Sequence, residues 1–338
     1  MGHSERMDAM TYLAKTARVT AREGLRAQRQ LISRSTLVAL LFLLPSLIGF
    51  GIYVAWPLIF GVYAGFTDYR GLSAPKWVGL ENYIKLFTKD DTFWRSLRVS
   101  LLFVFILTPA NMLLGLLVAL GLNRPLPLRS LARTAYYMPS LVSGVGTTLV
   151  WRVLLDYEYG IVNQVIRSLG GEPVGWLNVD MLMNMFWSVT FMSVWRGFGS
   201  TMLIYLAGLQ SAPQQLYDAA KVDGANRFQR FLTVTVPAIQ PMTFFLLIGQ
   251  VMANMNTFTP IYVLASSTID STYARMKLIT IPIYVYQTVY FYLFFGYGTA
   301  IGWVVFALLF AFTFMQFRRV YMPSAQRKAA KYAGAEVL

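Results

Sequence analysis

The stretch SAPQQLYDAAKVDGANRFQRFLTVTVP, Ser211–Pro237, is polar and helix-patterned, yet it lies between two long apolar runs. Ser211 and Gln214 have the S-x-x-Q spacing of a capping box, with Pro213 between them, which predicts a helix start there. Leu216, Ala219 and Ala220 give that helix a small apolar face, and Gly224 interrupts it. Phe228, Phe231 and Leu232 then recur at helical spacing before Pro237 and Pro241 open the next apolar run. The expected unit is two short helices meeting at a glycine. Apolar faces on a polar loop imply something to cover them, either the protein's own base or another subunit.

The surrounding chain has the composition of a membrane protein. Of 338 residues, 56% are hydrophobic and only 13% charged, which is outside the range of an ordinary soluble domain. The net charge of +14 does not indicate nucleic acid, because the basic residues sit at the chain ends and between apolar runs rather than interleaved with aromatics on one polar domain. They suit contact with membrane lipid instead. Cysteine is absent and His3 is the single histidine, so disulfides, thiolate chemistry and His/Cys metal sites are not expected. Asp and Glu are few, and Asp156 with Glu158 reads as a solvated loop. No catalytic residue, cofactor or metal is therefore assigned to this chain.

A helix needs about 20 mostly apolar residues to cross the hydrocarbon core. Six stretches qualify: 37–61, 97–121, 134–155, 181–207, 241–264 and 292–317. The expected fold is all-α and polytopic, with a basic segment at 1–36, a six-helix domain at 37–317 and a basic tail at 318–338. Met7, Met10, Ala14, Ala17, Ala21 and Leu25 recur at helical spacing in the first segment, the pattern of a retained basic helix near lipid. Its length and polarity do not fit a signal peptide. Arg124, Arg129 and Arg133, the N-terminal segment, and the tail with Arg318, Arg319, Arg327, Lys328 and Lys331 all fall on one side of six spans. That side is read as cytoplasmic, with both termini there and the 156–180 loop outside. The loop at 211–240 then faces the cytoplasm.

Polar residues inside the spans are the candidates for a solute path. Arg196 in the fourth span would cost about 2.5–3.5 kcal/mol facing lipid, so it is expected to face the bundle interior or water. Trp195 beside it, Asn111 in the second span, and Gln250, Asn254 and Asn256 in the fifth complete the set. Interhelical hydrogen bonding is the alternative role for each of them.

The segment DAAKVDGANRFQRFLTVTVP resembles the EAA loop of the integral-membrane permease subunits of binding-protein-dependent ABC importers. Asp218, Ala219, Ala220, Gly224, Val234, Val236 and Pro237 fall on the family's positions with the spacing intact, and Asp223 precedes the glycine. LAGLQSAP before the loop, VGLENYIKLF, Tyr159, Gly160 and Asn163, and FTPIYVLA resemble the carbohydrate-uptake, maltose-type branch. Asp218 stands where the family has Glu, and Ala265–Ile269 replaces the branch's T-x-G-G-P. The resemblance implies a bacterial inner-membrane permease that is not an enzyme. It implies a second homologous permease, two ATP-binding cassette subunits that bind ATP and Mg, and an extracytoplasmic solute-binding protein as partners. Asp218 would be the charged contact to the ATPase and Gly224 the turn. The chain itself lacks a G-x-x-x-x-G-K-[ST] phosphate loop. A sugar is the implied solute, with a non-sugar solute such as a glycerol phosphate ester, an ion-coupled transporter and a membrane enzyme as the competing readings.

Overall fold

The structure, a computed structural model, describes residues 36–125, 127–177, 182–265 and 278–335. The basic segment at 1–35, with its expected surface helix, and the departure at Ser266–Ile269 lie outside them. The described residues are mostly helical, and the single pairing of extended backbone is an isolated bridge between Thr67 and Trp77.

The chain divides into two units, Met1–Tyr63 and Ala64–Leu338. The first holds most of α1, Thr36–Gly65, which contains a π-helical turn at Gly51–Ala55. In the second, α2 is Glu81–Thr88, α3 Asp91–Leu122, α4 Arg129–Leu141, α5 Gly144–Leu154, α6 Ile161–Ser168 and α7 Leu182–Ser211. There follow α8 Gln214–Val222, α9 Arg227–Arg230, α10 Val236–Met255, α11 Thr259–Ala265, α12 Ile281–Tyr286 and α13 Phe295–Ala335. π-Helical turns join α9 to α10 at Phe231–Thr235 and extend α12 at Gln287–Phe291.

Among the described residues four helical stretches are long and apolar enough to cross a membrane: Thr36–Gly65, Asp91–Leu122, Arg227–Leu264, which runs from α9 into α11 and contains the break at 256–258, and Phe295–Arg318. Of the other two expected spans, 181–207 falls in α7, whose 30 residues are sufficient in length but are diluted by Asn184, Arg196 and Gln210. The stretch 134–155 is not one helix. It breaks at Val142 and Ser143, both extended, between α4 and α5. Pro139 removes an amide from the last turn of α4, and Gly144 and Gly146 follow the break, so little favours continuing the helix. The tail expected at 318–338 continues α13 as helix through Ala335.

α3 is the spine of the second unit. Phe93 and Leu97 near its start pack with Leu86, Tyr297 and Ile301. Phe103 and Leu107 pack with Val189, Ile261 and Ile283. At its end Ala119 and Leu122 meet Met202, Leu206, Leu209 and Ile239. These three clusters succeed one another along about 40 Å of helix at 1.5 Å per residue. Lipid removes the usual hydrophobic drive between helices, so close approach of backbones matters more. Gly199 shows this where α7 meets α4: a Cβ there would collide with the carbonyl oxygen of Tyr136.

The loop between α5 and α7 is organised by Asn163, which is fully buried. Its Nδ2 donates to the carbonyls of Asp156, Tyr157 and Val174, and its Oδ1 accepts from the Val174 amide and Trp176 Nε1 at 3.0 Å each.

Candidate functional site

A cavity of about 510 Å³ lies midway along α3, bounded by α3, α5, α7, α10 and the turn into α11. Both interruptions of the helices open onto it. Ser143 lines it at the α4–α5 break, and Asn256, Thr257 and Phe258 line it where α10 stops before α11. Pro260 contributes to the second stop, since it has no amide to donate to the carbonyl of Asn256, so a helix running on through Asn256 would lose that bond. Non-helical backbone at membrane depth is stable only where it is buried in protein or lines a cavity.

Asn111, Arg196, Gln250, Asn254 and Asn256, which come from three separate apolar runs, all line this cavity. Arg196 is its one charged lining residue, and no carboxylate lies within 4.0 Å of it among the described residues. Its Nε donates to the carbonyl of Val142 at 3.4 Å, so the guanidinium partners a carbonyl freed by the helix break. Trp195 is not in the lining; its ring meets Trp151 edge-on at 5.6 Å. Successive residues on a helix point about 100° apart, so placing Arg196 in the cavity turns Trp195 away from it.

The amides also bond to one another. Asn111 Nδ2 donates to Gln250 Oε1 at 3.2 Å, and Gln250 Nε2 donates to Thr201 Oγ1 at 3.1 Å. Asn254 Nδ2 donates to Thr108 Oγ1 at 3.0 Å and to Gln250 Oε1 at 3.4 Å. Cavity lining and interhelical bonding are therefore combined: one network holds α3, α7 and α10 together and presents its edge to the cavity. Asn111 Oδ1 and Thr147 Oγ1 are buried without a partner. The hydroxyls of Ser193, Ser200, Thr147 and Thr148 were not anticipated as lining. The signal for them was Ser and Thr inside otherwise apolar runs.

The Asp218 loop lies toward the far end of α3, where Leu122 packs with Leu209 and Ile239 on the helices that flank it. α8 does not begin with the expected box, because Ser211 is still part of α7 and its Oγ donates to the carbonyl of Gly208. Reciprocal capping occurs instead at the second helix, between Asn226 and Gln229, with bonds of 2.8 and 2.9 Å. Gly224 has φ 76°. The Ala225 amide donates to Ala220 and the Gly224 amide to Lys221, the bond pair of a Schellman motif that closes α8 with a left-handed residue. Nothing lies within 4 Å of a Cβ built at Gly224, so its requirement for glycine is conformational.

Tyr217 OH and Thr235 Oγ1, 3.1 Å apart, tie α8 to the π-helical turn that enters α10. Pro237 sits just after that turn and cannot donate to a carbonyl four residues back, which fits the widened geometry before it. Asp218 is exposed and bonded to Lys221 Nζ at 2.8 Å and Gln214 Nε2 at 3.3 Å, and the Lys221 bond holds its carboxyl below the usual range. Asp223 caps α8 and is exposed, as is Ala219, while Ala220 is half-buried. Leu216, Val222, Phe228 and Leu232 are exposed around them.

A sequence profile described as the binding-protein-dependent transport system inner membrane component matches residues 111–320, which take in both the cavity and the loop. The chain belongs to this family. It is 32% identical to the probable ABC transporter permease protein YesP of Bacillus subtilis, over 85% of this chain and 91% of that one. It is also 32% identical to the trehalose/maltose transport system permease protein MalF of Thermococcus litoralis, over 70% of this chain and 77% of that one. In structure it is similar to a chain of a bacterial ABC transporter involved in the import of the acidic polysaccharide alginate. The TM-score is 0.74 at 25% identity, covering 86% of this chain and 98% of that chain. As an ABC permease the protein is a membrane transport component, not an enzyme. The cavity and the Asp218 loop are thus two candidate sites on one permease fold, joined by α10.

Proposed function

We propose that this permease forms half of the translocation pathway of an ATP-driven importer for a sugar or oligosaccharide. The observation that carries the reading is the 510 Å³ cavity, lined by amides, hydroxyls and one guanidinium at the two helix breaks. Those groups suit a polyhydroxylated solute that exchanges its water for many modest hydrogen bonds. The relatives named for trehalose and maltose and the alginate importer support the same class.

In this reading six segments cross the bacterial inner membrane with both termini in the cytoplasm. A second homologous permease completes the pathway, a solute-binding protein delivers the solute from outside, and two cassette subunits bind ATP and Mg. The exposed apolar residues around Asp218 dock on a cassette subunit, and its closure moves α10 and hence the cavity wall. Uptake into vesicles holding the assembled complex should survive collapse of ion gradients by ionophores and stop when ATP is withdrawn. Loss of uptake on gradient collapse with ATP present would overturn the proposal.

A further inference from the structure

A second recess, of about 330 Å³, lies at the start of α3, at the opposite end from the Asp218 loop. Lys85 on α2, Lys89 just beyond it, and Arg95 in the second turn of α3 line it, together with one carboxylate, Asp90. That carboxylate is already occupied. Its Oδ1 accepts from the Phe93 amide at 2.9 Å, and its Oδ2 accepts from the hydroxyls of Tyr284 and Tyr297 at 2.5 Å each. No ion pair joins Lys85, Lys89 or Arg95 to any carboxylate among the described residues. Lys85 Nζ rests 4.9 Å from the centre of the Tyr297 ring. From the π-helical turn after α12 comes Gln287, 6% exposed, whose buried amide nitrogen has no partner.

Three cations and an unspent buried amide around one recess are costly if nothing is bound there. Like charges repel, and an unpaired buried donor loses its bond to water without replacement. The position is also unusual for basic residues. Tyr297 opens α13 and Arg318 lies more than five turns along it, so this cluster sits at the opposite end of that helix from the basic tail. Segregation of Lys and Arg toward one face of a membrane protein would leave this end poor in cations. An oxyanion resolves each cost, because it supplies negative charge to the three cations and an acceptor to the amide. Phosphate suits the recess better than a carboxylate, having more acceptor oxygens and up to two charges.

We propose that this recess binds a phosphate group, either on an anionic lipid headgroup or as the free ion. Ile84, Phe87 and Trp94 flank it with exposed apolar and aromatic surface, as at a membrane interface, where a lipid's chains would lie beside its bound headgroup.

The assembled complex can be tested in two arms. In nanodiscs of phosphatidylcholine alone, radiolabelled inorganic phosphate reports the free ion. Extraction from vesicles of mixed phosphatidylcholine and phosphatidylglycerol, followed by native mass spectrometry, reports retained anionic lipid. Wild-type complex should bind in at least one arm, and the arm identifies the source. The triple substitution Lys85→Gln, Lys89→Gln, Arg95→Gln should weaken binding at least tenfold. Lys76→Gln with Arg98→Gln, which removes two charges from neighbouring segments outside the recess, should leave it within twofold. Gln287→Leu should weaken binding without lowering the thermal midpoint of the unliganded complex. Binding in neither arm, or equal loss in the Lys76/Arg98 variant, overturns the proposal.

Discussion

Gln250→Leu should destabilise the permease through a residue that the substitution does not touch. Gln250 Oε1 accepts from Asn111 Nδ2 at 3.2 Å, and Asn111 is 3% exposed with its Oδ1 already unpartnered. Leucine would leave both polar atoms of the Asn111 amide unsatisfied. Asn254 keeps its bond to Thr108, and Thr201 Oγ1 keeps its bond to Gly197, so one orphaned amide group dominates the loss. A buried donor left unpaired costs about 1–3 kcal/mol. Interhelical hydrogen bonds in membranes average about 0.6 kcal/mol, because the unfolded reference also finds partners. Burial of Asn111 favours a cost above the membrane average, and about 1–2 kcal/mol is expected. The assay is thermal unfolding of the purified complex, with Asn111→Leu and the double variant completing a cycle. The double variant should cost about 1 kcal/mol less than the sum of the two single variants, since the second deletion removes the orphan left by the first. Wild-type stability in Gln250→Leu, or strict additivity in the cycle, would refute the assignment of this network as a structural tie.

Arg196→Met should leave assembly and basal ATP hydrolysis intact while lowering uptake, as measured by transport and hydrolysis on one preparation; reduced yield instead would assign Arg196 to packing. Gly199→Ala should cut the yield of folded complex sharply, by the equivalent of about 3 kcal/mol or more, because the new methyl meets the rigid backbone of Tyr136; detergent-solubilised melting curves test this. Gly224→Asp should fold, since there is open space around a Cβ there, at a cost of about 1–2 kcal/mol for positive φ, yet lose solute-stimulated hydrolysis; wild-type stimulation would remove the loop from the coupling route. With no native cysteine to interfere, Gly171→Cys should react with an impermeant thiol reagent added outside cells, and Ser324→Cys should not; labelling of both from one side would overturn the six-span orientation.

The Asp218 loop was legible in the sequence because its geometry is local. A glycine between two short helical patterns marks a turn, and the structure closes α8 there with Gly224 at φ 76°. The start of α8 was misplaced for a related reason: Ser211 and Gln214 carry box spacing, but the helical run of α7 continued through Ser211 and used its hydroxyl internally. Asn226 and Gln229 have the same spacing without a preceding helix to absorb them, and there the box forms. Asn111, Arg196, Gln250, Asn254 and Asn256 stand out in the sequence as polar residues within apolar runs, and the structure brings all five to one cavity. Their convergence could not be read from sequence, because it depends on where α4 and α10 stop. The stop at Val142–Ser143 has no strong local signal beyond Pro139 and two glycines, and a continuous apolar count runs straight across it. Trp195 was included by adjacency alone, which helical rotation defeats.

The π-helical turn at Phe231–Thr235 has a mechanical consequence. One side of it is fastened to α8 through Tyr217 and Thr235, and the other continues without interruption as α10 to the amides at Gln250 and Asn254. From Val236 to Asn254 that rod is about 27 Å long at 1.5 Å per residue. A tilt of about 10° pivoting at Thr235 would sweep Asn254 sideways by roughly 5 Å, longer than any hydrogen bond in the network it anchors. If α10 tilts as a rigid rod it acts as a crank: a small angular input at the Asp218 loop would be enough to unfasten Asn254 from Thr108 and change the shape of the cavity.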